Sequence, residues 1–159
     1  MDEREWFRYQ LEASGEALVW ALEQIPDHRR LKTPPGSLGE WPAMRHLFHM
    51  YYNESQVVLP RIKRWLNESD FRPADLNEEA AWQALEDPAS VTQHFREARR
   101  EHVSLVDAVE PIKWEETRQI PLGTVNLSWV MTKSIQHSAD HINGLLRIGL
   151  LWDHYESKG

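Results

Sequence analysis

The sequence contains no cysteine. That excludes a disulfide scaffold, a thiolate metal site and a cysteine nucleophile. It is also the usage of a reducing compartment, so a cytoplasmic location is expected. Positive charge is in deficit: 18 Lys and Arg against 25 Asp and Glu give a formal net charge of −7. A surface that tracks phosphates needs a basic face, so no nucleic-acid partner is expected. The one basic run, "HFREARREH" (His94–His102), mixes both signs and reads as a solvated helix face. No apolar run reaches the ~18 residues of a membrane span, so no membrane partner is expected. No basic segment followed by an apolar stretch opens the chain either, since "MDEREWFRYQ" is highly charged.

What is present is the composition of an ordinary globular protein, 41% hydrophobic and 27% charged over 159 residues. That length supports a core without staples, and a single domain over 1–159 is expected. Eight tryptophans suit core anchors and pocket walls, or a binding surface of aromatic character.

The apolar residues recur at helical spacing in four long segments. Over Asp2–Ile25 the stripe is Phe7, Leu11, Ser14, Leu18, Leu22 and Ile25, stopped by Pro26. After the Pro- and Gly-punctuated loop Asp27–Pro42, a second helix starts at Trp41-Pro42 with Met44, Phe48, Tyr51, Ser55, Val58 and Ile62 inward. Pro60 lies inside that pattern and predicts a kink or a break. A connection over Asp70–Asp87 carries one short helix at Glu78–Leu85. A third long helix over Ser90–Val109 turns Val91, Phe95, Ala98, His102, Leu105 and Val109 inward, and Pro111 ends it. Pro111–Val125 reads as an irregular connection. The last helix, Asn126–Trp152, carries Leu127, Met131, Ser134, Ser138, Ile142, Leu145, Gly149 and Trp152 on its stripe. No convincing strand is present, so the fold class is all-α, and four such stripes are best buried in a four-helix bundle.

In "SIQHSADHINGLLRIGLLW" (Ser134–Trp152), His137 and His141 stand four residues apart on the flank of the stripe. They lie about 40° apart on the helical wheel, one turn above the other, and so can share one metal ion. A third ligand is needed. "WPAMRHLFHM" (Trp41–Met50) offers His46 and His49, neither central on its stripe, and the wheel leaves both open as ligand or rim residue. His102 reads first as a core histidine and second as a ligand-supporting or additional ligand. His28, His94 and His154 read as loop or surface residues. Glu54 and Asp140 are near the histidines, but solvated surface positions are expected for both.

Trp41, His49 eight residues later, and His137-x-x-x-His141 followed by Ile142 resemble the motif of the DinB-like (DNA-damage-inducible, YfiT-type) superfamily of bacterial four-helix proteins. The resemblance covers nearly the whole chain. Carried over position by position, it puts the metal ligands at His49, His137 and His141 and not at His46. Asn143-Gly144 stands where that family often has Gly-Gln, while Arg147 matches a frequent arginine. The resemblance implies an up-down-down-up bundle with long crossover loops, the long connection falling between helices two and three. It also implies a homodimer and a divalent metal, zinc or nickel first and iron or manganese next. The function it implies is a thiol-dependent S-transferase acting on small-molecule electrophiles with a low-molecular-weight thiol such as bacillithiol or mycothiol. The alternatives are a metal-dependent hydrolase, or a non-catalytic metal-stabilised binding or stress-response protein.

Overall fold

The structure, a computed structural model, describes residues 1–66, 75–120 and 122–157. The expected start of the connection at Asp70 and the end of the pattern "RIKRWLNES" lie outside the described residues.

Helix α1 (Glu3–Glu23) begins where the sequence caps it. Asp2 accepts from the Glu5 N–H at 2.7 Å, and Glu5 accepts from the Asp2 N–H at 3.2 Å, so two otherwise orphaned donors are satisfied reciprocally. A single turn, α2 (Asp27–Arg30), follows Pro26. Helix α3 (Ala43–Asn53) starts one residue after the expected Trp41-Pro42, with Pro42 as its cap. Pro60 does not break the helix. Residues Glu54–Val58 form a π-turn in which the Leu59 N–H reaches the Glu54 carbonyl, and α4 (Leu59–Leu66) continues beyond it. Proline lacks an N–H and crowds the carbonyl four residues back, and the wider turn absorbs both defects.

Helix α5 (Glu78–Gln83) is the expected short helix, and Asn77 caps it by accepting from the Ala80 N–H. Helix α6 (Val91–Ala108) ends at Val109. The stretch expected to be irregular is ordered instead. It holds a short helix α7 (Pro111–Glu115) and a hairpin of β1 (Thr117–Ile120) and β2 (Gly123–Asn126), paired from Thr117↔Asn126 to Ile120↔Gly123. Four-residue strands are too short to show a period of two. Their signal is local: Gly123 takes φ 125°, open to glycine, and Ile120 is buried. Helix α8 (Leu127–Glu156) then starts on an Asn126 cap that accepts from the Trp129 N–H.

Helix α1 packs on α8 and α6, and α3 packs on α6 and α8. The stripes meet in two apolar blocks. One gathers Phe7 and Leu11 of α1, Val58 and Ile62 of the π-turn and α4, Val106 of α6 and Leu127 and Met131 of α8. The other gathers Leu18 and Leu22 of α1, Leu47 and Phe48 of α3, Phe95 of α6 and Leu145 and Trp152 of α8.

Between the blocks lies a buried polar layer, which corrects two expectations. Glu54 is 3% exposed and Arg99, from the supposedly solvated run, is 5% exposed. Arg99 donates from Nε to Glu54 at 3.0 Å, from Nη1 to the Leu11 carbonyl at 2.9 Å and the Ser14 hydroxyl at 3.1 Å, and from Nη2 to the Ser138 hydroxyl at 3.1 Å. His102, the expected core histidine, has its Nδ1 at 2.8 Å from Glu54. Burial alone would raise the Glu54 carboxyl; Arg99 and then His102 more than offset this and hold it below its usual range. Gly15 makes the layer possible, because a Cβ there would stand 3.0 Å from Arg99 Cγ.

Removing the carboxylate would strand a buried guanidinium. Glu54→Ala is therefore expected to cost about 3–5 kcal/mol of stability, read as a shift of the urea midpoint. A loss under about 1 kcal/mol would mean that the layer is solvated, as surface ion pairs are.

Candidate metal centre

The turn of α3 that precedes the π-turn carries His46 and His49, and the middle of α8 carries His137 and His141. One ring nitrogen from each of His49, His137 and His141 lies within 4.8 Å of the others, and such a cluster could hold a metal ion. The Nε2 atoms of His49 and His137 are 3.0 Å apart, and those of His137 and His141 are 3.2 Å apart. All three rings are partly buried.

The outer nitrogens are engaged elsewhere. His49 Nδ1 is 2.8 Å from Glu78 Oε2, and a carboxylate there accepts the Nδ1 proton, leaving Nε2 as a bare lone pair. His141 Nδ1 is 3.0 Å from His46 Nδ1. Donation from His141 to His46 likewise bares His141 Nε2. Ring nitrogens this close repel each other unless a cation or proton sits between them, and three imidazoles form a donor set that fits a divalent ion.

Protons are poor competitors for the position. Burial and then the charge of His46 push His141 down to about 3, and burial and then His49 push His46 down to about 4. Burial, followed by His49, lowers His137 as well. These rings are neutral at pH 7, which is the form that ligates metals.

His46 is thus not a free rim residue. It stands behind His141 and packs closely on position 144, where a Cβ would lie 3.3 Å from His46 Cε1. The Asn143-Gly144 departure makes room for this second imidazole. Trp41 covers the centre, its ring 5.2 Å from that of His49 and 6.2 Å from that of His141 between centroids. His102 is not near the cluster; it is fully buried between Glu54 and the Met131 sulfur at 3.2 Å. His28, His94 and His154 are exposed, and so is Asp140.

Two residues of the site escaped sequence reasoning. Glu78 arrives from α5, far along the chain, and Arg45 secures it. Arg45 is 5% exposed, and its guanidinium lies 2.9 Å from Glu78 Oε1 as an ion pair without hydrogen-bond alignment, and 3.2 Å from Glu79. It also lies over the Trp41, Phe48 and Trp82 rings. The available signal was the pair Glu78-Glu79 opening a capped helix and Arg45 one turn before His49.

A model of the DinB superfamily matches residues 10–144, a span that includes all four histidines. No curated protein gives a match.

A pH dependence follows for the metal-free protein. Unfolded, each histidine takes a proton as pH falls through about 6.5. Folded, His46 and His141 stay neutral to about 4 and about 3. The unfolded chain binds more protons in that window, so stability falls as pH drops from about 6.5 toward 4. His141→Asn should lose less stability than wild type between pH 7 and pH 5 in urea titrations. Equal losses would contradict the assignment.

Proposed function

The chain belongs to the DinB superfamily, and we propose that it is a metal-dependent thiol S-transferase whose divalent ion, zinc or nickel, is held by His49, His137 and His141. The observation that carries this reading is the convergence of the three Nε2 atoms, with the outer nitrogens of His49 and His141 already partnered. Among the described residues no fourth protein ligand joins the cluster. A shell left open in this way favours chemistry over a purely structural role. When bound, a divalent ion among three neutral nitrogens keeps its full charge and acidifies a coordinated thiol or water.

The protein's own groups do the rest. Glu78, held by Arg45, fixes the tautomer and ring plane of His49. His46 does the same for His141. Trp41 and the partly buried ring set keep the position poor in water, where charge interactions are stronger. The protein has no cysteine, so the sulfur comes from a low-molecular-weight thiol. In the transfer the thiol loses its proton, a carbon–sulfur bond forms, and the leaving group departs with its electron pair. Hydrolysis is less favoured because neither acid near the histidines in sequence is placed as a general base: Glu54 is locked to Arg99 and His102, and Asp140 is exposed.

Each long helix crosses the two apolar blocks in an order that supports an up-down-down-up four-helix bundle. Helices α1 and α8 start in the block of Phe7, and α3 and α6 start in the block of Leu18. We place the chain as a single domain working as a homodimer.

Untagged protein purified without chelator is expected to carry about one divalent metal per chain, and His137→Ala almost none, by mass spectrometry. Full metal retention in His137→Ala would defeat the site. With metal bound, conjugation of chlorodinitrobenzene to a small thiol should exceed hydrolysis of nitrophenyl acetate, and the reverse would favour the hydrolase. Glu78→Ala should weaken zinc binding about 10–100-fold in competition with a chelating dye, and Glu78→Gln less, because the amide still accepts from His49. Unchanged affinity in Glu78→Ala would remove Glu78 from any role at the centre.

A further inference from the structure

Two of the three clustered rings have their outer nitrogen engaged by the protein: His49 Nδ1 by Glu78, and His141 Nδ1 by His46. The third ring differs. His137 turns Nε2 to the cluster, 3.0 Å from His49 and 3.2 Å from His141, and among the described residues no protein group bonds its Nδ1. A ligating imidazole is held in its tautomer and its plane by a partner on that second nitrogen.

The space beside His137 can supply one. A void of about 10 Å³ lies where α3, the π-turn, α6 and α8 meet. That is the lower bound of the roughly 10–15 Å³ that admits a single water. A water also needs about two to four polar partners, and the lining includes Asn53, Glu54, Arg99, Ser134 and His137. These groups have bonding capacity to spare. The Glu54 carboxylate, 3% exposed, has more lone pairs than Arg99 Nε and His102 Nδ1 occupy. Arg99 Nη2 keeps a second N–H beyond the one it gives to Ser138. The Ser134 hydroxyl donates its proton to the Val130 carbonyl and can still accept. A water has a short way in, because Asn53, Val58, Ser134 and His137 line both this void and a neighbouring cavity of about 300 Å³.

We propose that the void is a site for one water molecule, which accepts the Nδ1 proton of His137 and donates to the Glu54 carboxylate, making Glu54 a positioning residue of the metal centre. Arg99 Nη2 and the Ser134 hydroxyl complete the water's partners, one as donor and one as acceptor. A proton held on Nδ1 leaves Nε2 bare, which is the form that ligates a metal. Glu54 then has two tasks. It ties the helices through Arg99, and it sets the ring plane of His137 through the water. All three rings are backed in this way, His49 by a carboxylate directly and His137 by one at a remove. The positioning role rests on the metal-centre reading; the water site does not.

Crystals of the full chain, metal-free and zinc-loaded, test the site. Both are expected to show an ordered water within about 3.2 Å of a Glu54 carboxylate oxygen and of His137 Nδ1. An empty void, or a protein atom bonded to His137 Nδ1, would overturn it. The positioning role is read by nitrogen NMR on zinc-loaded protein with labelled histidine. Glu54→Gln should move the Nδ1 resonance of His137 and leave those of His49 and His141 in place. A shift of all three together, or of none, would reduce Glu54 to a structural role. Ser134→Val, whose larger side chain fills the void, serves if Glu54→Gln fails to fold. It should weaken zinc binding about tenfold in competition with a chelating dye, while Ser134→Ala, which leaves the space open, should bind zinc as the wild type does. Equal affinity in Ser134→Val and wild type would sink the positioning role. If the wild type takes up no zinc, the metal reading fails and the positioning role with it, and the metal-free crystals decide the water site alone. If zinc binds and the crystals show no water, the site falls and the metal centre stands.

Discussion

One guanidinium ties the four long helices together. Arg99 leaves α6, reaches Glu54 in the π-turn, the Leu11 carbonyl and Ser14 hydroxyl of α1, and the Ser138 hydroxyl of α8. A buried charge tolerates little slippage, because any displaced partner leaves a donor unsatisfied in a low-dielectric interior. Apolar stripes alone permit a helix to slide by a turn at modest cost. This layer does not, and it therefore sets the axial register of the helices. The consequence reaches the candidate metal centre. His49 lies five residues before Glu54 and His137 immediately before Ser138, so the ties made by Arg99 also decide that these two rings meet. A small void of about 10 Å³ is lined by Glu54 and Arg99 of the layer and by His137 of the centre.

Much of this was legible in the sequence, for a definable reason. Helical periodicity is a property of neighbouring residues, and the stripes from Phe7 to Ile25 and from Leu127 to Trp152 recur in the folded helices. His137 and His141 are on one helix, so their proximity follows from pitch alone. His49 could not be separated from His46 by the wheel; the resemblance chose it, and the folded chain brings His49 to the Nε2 cluster while His46 stands behind His141. What stayed hidden depends on partners distant in sequence. Glu54, expected at the surface, and Arg99, in a mixed-charge run, are buried because each is the other's counter-ion. Yet the stripes did contain a clue: Ser14, His102 and Ser138 are polar residues at inward positions, and all three face the same layer. Polar residues at matching depth on several stripes imply that a charge is shared between them.

The centre is closed on most sides by groups already committed. Glu78 and Arg45 stand behind His49, His46 and Gly144 behind His141, and Glu54 with Arg99 below His137. Two ion pairs stand in this surround, Glu78 with Arg45 and Glu54 with Arg99. Burial holds His137 and His141 in the neutral form. A divalent cation at the Nε2 atoms would add positive charge here, and its field would fall on whatever occupies the remaining face. A cavity of about 300 Å³ walled by Val57, Val130 and Leu122 shares His137 with the centre.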